Sequence, residues 1–366
     1  TSTLAVSELD FDTIKSSLQT YLKGQTEFSD YDFESSTLSI LLNVLSYNTY
    51  HNSFYLNMIA NEMFLDSAQL RNSVVSRAKM LNYTPRSARG ATAAVDTIVT
   101  PGDSPTSITV AANTQFTSTV NGISYIYVTS QSTSLISQPN GTFTGTLNIV
   151  EGTPLQHRFT VNTTNPVRYI LPNENTDTTS FTVRIQESTS NTSVITYSLL
   201  SDLSSVNSIS TIYYWQENED NLYEVYFGDD VFGKKPINGN IVLIDYRVCN
   251  GTATNGANTF ATPDSLGGYS NFTTTTSSVA QGGALQETID SIKYNAPFKY
   301  QAQDRLVTMQ DYKNIILSEN GDLSSINVWG GEENDPPIYG KVFVAAKPTS
   351  GSLLSNQKKE TIRTSL

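Results

Sequence analysis

Six groups of residues in this chain have types and spacings to weigh for chemistry. Gly228-Asp-Asp-Val-Phe-Gly233-Lys234 matches the first seven positions of a phosphate-binding loop, in which backbone amides and a lysine cradle phosphate oxygens. The eighth position breaks the match. Lys235 stands where a Ser or Thr would hold magnesium, Asp229 and Asp230 repel an anion, and Pro236 opposes the helix that should follow. A glycine-rich turn between two strands is expected instead. Asp30, Asp32 and Glu34 alternate like the opening of a calcium loop, but Ser35 replaces the required glycine and Leu41 the terminal bidentate glutamate. That cluster reads as an acidic turn leading into a helix, whose dipole favours negative charge at its start.

The remaining candidates are thinner. His51 and His157 are the whole histidine supply and fall in different regions, so neither a triad nor a His-based metal site has material to draw on. Glu217, Glu219, Asp220, Glu332, Glu333 and Asp335 could pair as glycosidase carboxylates, yet they sit in the polar segments ENEDN and GGEENDPP, where solvated acids are the default. Asn140-Gly-Thr142 is a chance glycosylation triplet in a chain so rich in Ser and Thr. Cys249 is the single cysteine; it excludes an intrachain disulfide and a thiolate zinc cage, and is expected to pack as a small apolar residue. No catalytic constellation emerges, so the chain is read as a non-enzyme with no cofactor and no metal. Binding and assembly remain.

Composition points the same way. Lys plus Arg number 22 against 34 Asp plus Glu, a net charge of −12, which repels nucleic-acid phosphates and anionic membranes. Charged residues make up only 15%, below the roughly 25% of ordinary soluble domains. A surface polar through hydroxyls and amides can be desolvated by neighbours at less cost than one dense in ions. It suits a protein that meets many partners, and equally a β-rich soluble protein with a hydroxyl-rich exterior. The start, TSTLAVSELDFD, has neither a basic segment nor an apolar stretch, and no apolar run approaches the roughly 18 residues that span a bilayer. A soluble chain without an export signal is expected. Since the first residue is Thr and the final stretch reads as a helix with no stop signal, these 366 residues are expected to be part of a longer chain.

The elements that would carry these residues fall into three regions: a helical bundle segment over 1–85, one or more β-rich domains over 86–283, and an α+β module over 284–366 that is possibly cut short. The fold class is multidomain α+β. In the first region, Phe11, Ile14, Leu18, Tyr21 and Leu22 recur at helical spacing before Gly24, and Leu70, Val74, Ala78 and Leu81 do so after a capping Asp66 and before Pro85. Between them a helix is expected from about Ser36 to Leu65. Its apolar residues do not form one stripe. Leu38, Leu41, Leu42, Leu45, Leu56, Ile59 and Met63 follow one seven-residue spacing, while Ile40, Val44, Tyr47, Phe54 and Met58 lie roughly half a turn away at about 100° per residue. Such a helix must be surrounded, either by other chains or by the β region of its own. Asn48, Thr49, His51 and Asn52 form a central polar layer of the kind that sets register in an intermolecular bundle.

From Arg86 onward, SITVAANTQF, GISYIYVTS, GTFTGTLNIV, LYEVYFGDD and NIVLIDYRV read as strands, arranged as one or two antiparallel sandwiches or barrels because no helical crossovers intervene. NFTTTTSSVAQGG reads as a flexible or edge connector. ALQETIDSIKYNAP predicts a helix with Leu285, Ile289 and Ile292 on its apolar side, stopping before Pro297. A second helix begins at the N-cap Thr308 with Ile315 and Ile316 inward and Gly321 beyond its end, and SSINVWG and GKVFVAAKP follow as strands.

Four stretches carry a family resemblance: ELDFDTIKSSLQTYLKGQTEFSDYDF; FYLNMIANEMFLDSAQLRNSVVSRAKMLNYTPRSA; YFGDDVFGKKPINGNIVLIDYRVCNG; and RLVTMQDYKNII with VWGGEENDPPIYGKVFVAAKP. Together they resemble the baseplate wedge proteins of T-even-like contractile-tailed phages, in the baseplate J-like family. The resemblance spans nearly the whole chain and is most specific in the N-terminal helices. It implies a structural role in the virion tail baseplate, assembled in the host cytoplasm. Two copies in different conformations join another wedge protein, and six wedges close a ring around the hub that rearranges when the sheath contracts. It also implies contacts with neighbouring wedges and sheath-initiating proteins, and no family active site. Members are longer at the C-terminus, where a dimerisation region lies.

The N-terminal helices of that family resemble part of a shared bundle, so the expected partner interface is Leu38, Leu42, Leu45, Tyr47, Asn52, Phe54, Ile59 and Met63. Other functions remain open: a receptor- or glycan-binding tail adhesin using some of the 20 tyrosines, a cell-wall-degrading enzyme, or a wedge of a related contractile injection machine.

Overall fold

The computed structural model describes residues 7, 9–25, 37–164, 168–200, 206–303, 305–349, 351 and 353–366. The acidic triplet Asp30, Asp32 and Glu34, most of the first eight residues and the expected helix start at Ser36 lie outside them.

Three helices open the chain: α1 (Phe11–Lys23), α2 (Thr37–Glu62) and α3 (Arg71–Met80). Asp10 caps α1, its carboxylate accepting from the Thr13 hydroxyl at 2.6 Å and the Thr13 amide at 3.0 Å. Gly24 ends α1 as expected, though in right-handed geometry. The expected cap of α3, Asp66, is not used. The Glu62 carboxylate accepts instead from the amides of Gln69 at 2.8 Å and Leu70 at 3.3 Å, reaching across the α2–α3 turn to amides that have no helical acceptor.

Two seven-stranded sheets follow. In the first, β14 (Phe272–Gln281), β1 (Thr92–Val99), β6 (Phe143–Glu151), β4 (Ile123–Thr129) and β3 (Gln115–Val120) lie side by side, and β2 (Ile108–Val110) joins through β5 (Thr133–Ser137). Phe116, Tyr127, Leu147 and Ile149 fill its core. The Thr-rich segment expected as a connector or edge is the ten-residue edge strand β14, paired with β1. β-Branched threonines favour the extended backbone while their hydroxyls tolerate solvent.

The second sheet runs β7 (Thr153–Thr160), β13 (Ile241–Val248), β9 (Thr176–Gln186), β10 (Val194–Leu199), β11 (Ile212–Glu217), β12 (Tyr223–Phe227) and β8 (Tyr169–Ile170). β13 lies inside it, and its first four residues are all buried, which explains an unbroken IVLI in place of alternation. The sheets are antiparallel with one departure: β10 and β11 pair in parallel at Ser198 and Ile212, through a connection over residues 200–211.

The last region holds α4 (Ile289–Ala302), α5 (Met309–Glu319), β15 (Leu323–Gly330), β16 (Val342–Pro348) and α6 (Asn356–Ser365). The architecture is thus an N-terminal helical region, central β sheets forming a partial barrel, and a C-terminal mixed α/β module. Thr308 caps α5 as expected, and Asp311 completes a capping box with it. α4 differs from expectation at both ends: it starts at Ile289 behind the cap Thr288, leaving Leu285 exposed, and it runs through Pro297. Ile292 and Ala296 are fully buried against α3, in a cluster with Ala68, Val74, Val75, Ala78 and Tyr83. That packing holds the helix past a residue that removes one of its hydrogen bonds.

Candidate assembly interface

α2 presents three sides. Ser39, Leu42, Ser46 and Asn57 are buried and share one phase of the helix, on the side where α1 packs with its buried Ile14. Small hydroxyl side chains let the two backbones approach. Ser7 extends this contact: the Asn57 side chain donates to the Ser7 carbonyl at 3.1 Å and to its hydroxyl at 2.9 Å, and accepts from the Ser7 amide at 3.3 Å. Sequence patterning missed this face, because serines at heptad spacing carry no hydrophobic signal.

At 100° per residue, Ile40, Val44, Tyr47, Phe54 and Met58 form a second side, and Leu41, Leu45, Leu56, Ile59 and Met63 a third. The three are about 120° apart rather than opposed in pairs. All ten of these side chains are exposed. Among the expected interface residues, Tyr47 is 60%, Ile59 62% and Met63 58% exposed. Leu45, Phe54 and Asn52 are exposed as well, whereas Leu38 is half-buried. Leu42 is buried within the chain and leaves no surface for a partner. Four exposed rings, Tyr47, Phe54, Tyr55 and Phe64, are each about half uncovered. At about 150–250 Å² per ring they alone uncover roughly 400 Å², and the aliphatic residues carry the total past the roughly 300–600 Å² of the largest patch on a typical monomer.

α2 is carried by α3, which is fixed to the body. Glu287, just before α4, is almost completely buried. Its carboxylate accepts from the Tyr83 hydroxyl at 2.8 and 2.9 Å, the Arg86 amide at 3.1 Å, the Ser291 hydroxyl at 2.6 Å and the Asn295 amide group at 2.9 Å. Burial, then the adjacent Glu287 charge, pushes the Tyr83 hydroxyl far above its ordinary pKa. Arg71 on α3 grips Glu217 at the end of β11 bidentately, at 2.6 and 3.1 Å, and also donates to the Glu287 carbonyl. Glu217 was expected to be a solvated loop acid; it is instead a buried anion, 146 residues in sequence from its partner.

The other chemical candidates are spent on structure. In the 228–235 turn, the Asp229 carboxylate accepts from the amides of Phe232 at 2.9 Å and Val231 at 3.0 Å, so groups that would cradle a phosphate are occupied. Those bonds hold its pKa below the ordinary value. A Cβ on Gly228 would lie 2.3 Å from the carbonyl oxygens of Phe232 and Gly233, which explains the glycine. His51 lies among the rings of Tyr47, Tyr50 and Tyr55, and His157 against Phe159. Cys249 is buried, and burial pushes its thiol up to about 12. Asn140 forms a local turn, accepting from the Thr142 amide and hydroxyl. Among the described residues, no group of three or more His, Cys, Asp and Glu is placed to hold a metal, and no helix is long and apolar enough to cross a membrane.

The body is built of buried polar locks and bears a helix with two uncovered apolar sides, the features of a protein that docks onto others rather than of an enzyme site. Comparison with known proteins gives that class a lineage. Residues 10–83 match the family described as baseplate wedge protein gp6-like, helical domain, and residues 308–366 match baseplate structural protein gp6, C-terminal domain I. Baseplate wedge protein gp6 of Enterobacteria phage T4 is 28% identical over 381 aligned residues, covering 96% of this chain and 56% of the relative. These matches make the chain similar to the gp6-like baseplate wedge proteins at both of its ends. It spans little more than half the length of that relative. A chain from the cryo-electron microscopy structure of the anti-feeding prophage baseplate is similar at 13% identity and a TM-score of 0.29, covering 100% of this chain and 77% of that one. So low a structural overlap adds nothing to the assignment.

Proposed function

We propose that the chain is a structural wedge subunit of a contractile-tail baseplate, and that α2 is the central rod of a helical bundle completed by other chains. One observation carries the reading: two apolar sides of α2 are uncovered while its small polar side is the one spent on α1. The two open sides call for two neighbours. A second copy of the chain and another wedge protein fill these places, as the family likeness suggests. Neighbouring wedges and sheath-initiating proteins then contact the remaining surface, in a ring around the hub that rearranges on contraction. Assembly takes place in the host cytoplasm and the product resides in the tail baseplate.

The test is Leu45→Asp. Burying Leu45 in a partner contributes about 1.5–3 kcal/mol, and an unpaired carboxylate there costs more. The variant should leave melting and circular dichroism of the isolated chain unchanged, because Leu45 is exposed. Mass measurement after mixing with candidate wedge proteins should show the complex lost. Normal complex formation by Leu45→Asp would count against the proposal.

A further inference from the structure

Away from α2, a trough lies between the segment after α3 and the second sheet. Two cavities of about 350 and 560 Å³ share Asn82, Tyr83, Thr84, Leu199 and Trp215, and so are continuous. One end is aromatic: Tyr214 and Tyr226 stack with ring centroids 5.1 Å apart, beside Trp215. The other end is cationic. Arg86 donates to the Leu317 carbonyl at 3.3 Å and Arg89 to the Glu319 carbonyl at 2.8 Å, each through a single Nη. A guanidinium has five N–H donors, so both retain donors unspent. Glu319 also lines this end but offsets only part of the charge. In a chain of net charge −12, this site suits an anionic group with a flat apolar neighbour.

The same chain displays that complement elsewhere. Between β15 and β16 a loop exposes Glu333, Asp335, Pro336, Pro337 and Tyr339, the last at 79%. Its base is pinned: the Gly331 amide donates to the Lys341 carbonyl at 2.8 Å, the Ile338 amide to the Gly331 carbonyl at 2.7 Å, and the Trp329 indole to Asn334 at 3.1 Å. A Cβ at Gly331 would lie 1.8 Å from the Ile338 oxygen, so the closed base requires glycine. A loop already ordered loses little entropy on docking. None of its residues lines the trough of its own chain.

We infer that the trough of one copy receives the 333–339 loop of a second copy, carboxylates toward Arg86 and Arg89, and the proline and tyrosine rings on Trp215, Tyr214 and Tyr226. Carboxylate–guanidinium pairs give direction, and ring contacts give area. The contact is heterologous, since each copy offers a different surface. It uses no residue of α2 and stands apart from the bundle proposed above.

Disulfide trapping in the full chain tests it. Chains carrying Tyr339→Cys and Leu199→Cys, both exposed positions, are mixed under oxidised glutathione; Cys249 is buried and adds little background. Covalent heterodimer should form at least tenfold more than when Tyr339→Cys is mixed with Ile136→Cys, an exposed residue of the first sheet. Adding Glu333→Gln and Asp335→Asn to the loop should reduce trapping about tenfold, and so should high salt. The Leu45→Asp background should trap as well as the wild type, which separates this contact from the bundle. Equal yields from both pairs, or yields indifferent to the two acids, overturn the inference. Saturable quenching of tryptophan fluorescence by chitotriose without trapping would assign the trough to sugars and overturn it too.

Discussion

Replacing Glu287 by alanine should loosen the junction that carries α3, and the structure sets the size of the effect. The change removes an acceptor used by four donors, of which the Tyr83 hydroxyl and the Asn295 amide group belong to buried residues. A buried donor left unpaired costs about 1–3 kcal/mol, so two give on the order of 3–5 kcal/mol. The Ser291 hydroxyl, which accepts from the Asn295 amide group at 3.0 Å, belongs to a half-buried residue whose proton can turn to water, so it adds little. Tyr83→Phe removes one donor without stranding another and should cost about 1–2 kcal/mol. In the double variant the cost should be less than the sum, because the hydroxyl stranded by Glu287→Ala is then gone. Urea denaturation followed by circular dichroism measures all three. A Glu287→Ala chain within about 1 kcal/mol of wild type, or additive costs in the double variant, would refute this reading of the junction.

Two further changes probe buried charge in the body. Lys358 on α6 pairs with Asp322 at 2.8 Å, both buried; Asp322→Ala should cost about 3–5 kcal/mol by stranding the cation, whereas Asp322→Leu with Lys358→Met should recover most of it. Burial lowers the Lys358 pKa and Asp322 opposes this, so the Asp322→Ala defect should shrink toward pH 10 as Lys358 gives up its proton, a trend denaturation at several pH values would show or exclude. Glu151 is buried in the first sheet near Asn250; burial raises its pKa, against the hydrogen bonds from Asn250. Its contribution is complete below the unfolded pKa and declines as pH rises toward the higher folded value, so Glu151→Gln should gain on wild type from about pH 4 upward. A constant difference across that range would contradict the assignment.

Much of the fold was legible because local rules and tertiary packing agree in it. Thr308 announced α5, and Ile315 and Ile316 its buried side. Where packing overrides a local rule, the reading failed. Pro297 should have ended α4, but Ile292 and Ala296 are locked against α3. Asp66 had the right type for a cap, yet the longer Glu62 reaches the free amides from the preceding turn. The exposed sides of α2 were legible in part. Two apolar stripes on α2 were readable from spacing, but the serine side that meets α1 was not, and it is what turns Leu42 inward. Glu217 and Glu287 were invisible as locks, since their partners lie 146 and 204 residues away in sequence.

The central claim is that both open sides of α2 are covered by other chains in the assembly, and the four methionines of the chain make it measurable. Met58 lies on one stripe and Met63, the first residue past the end of α2, continues the other, 42% and 58% exposed, while Met80 at 70% and Met309 at 50% lie away from both stripes. Residue-resolved oxidation by dilute peroxide, read by mass spectrometry on the isolated chain and on the assembled baseplate, compares them directly. The account predicts that Met58 and Met63 oxidise at rates like Met80 in the isolated chain and at least about tenfold more slowly after assembly, as burial of an exposed thioether implies. Met58 and Met63 remaining as reactive in the baseplate as in the free chain would contradict it.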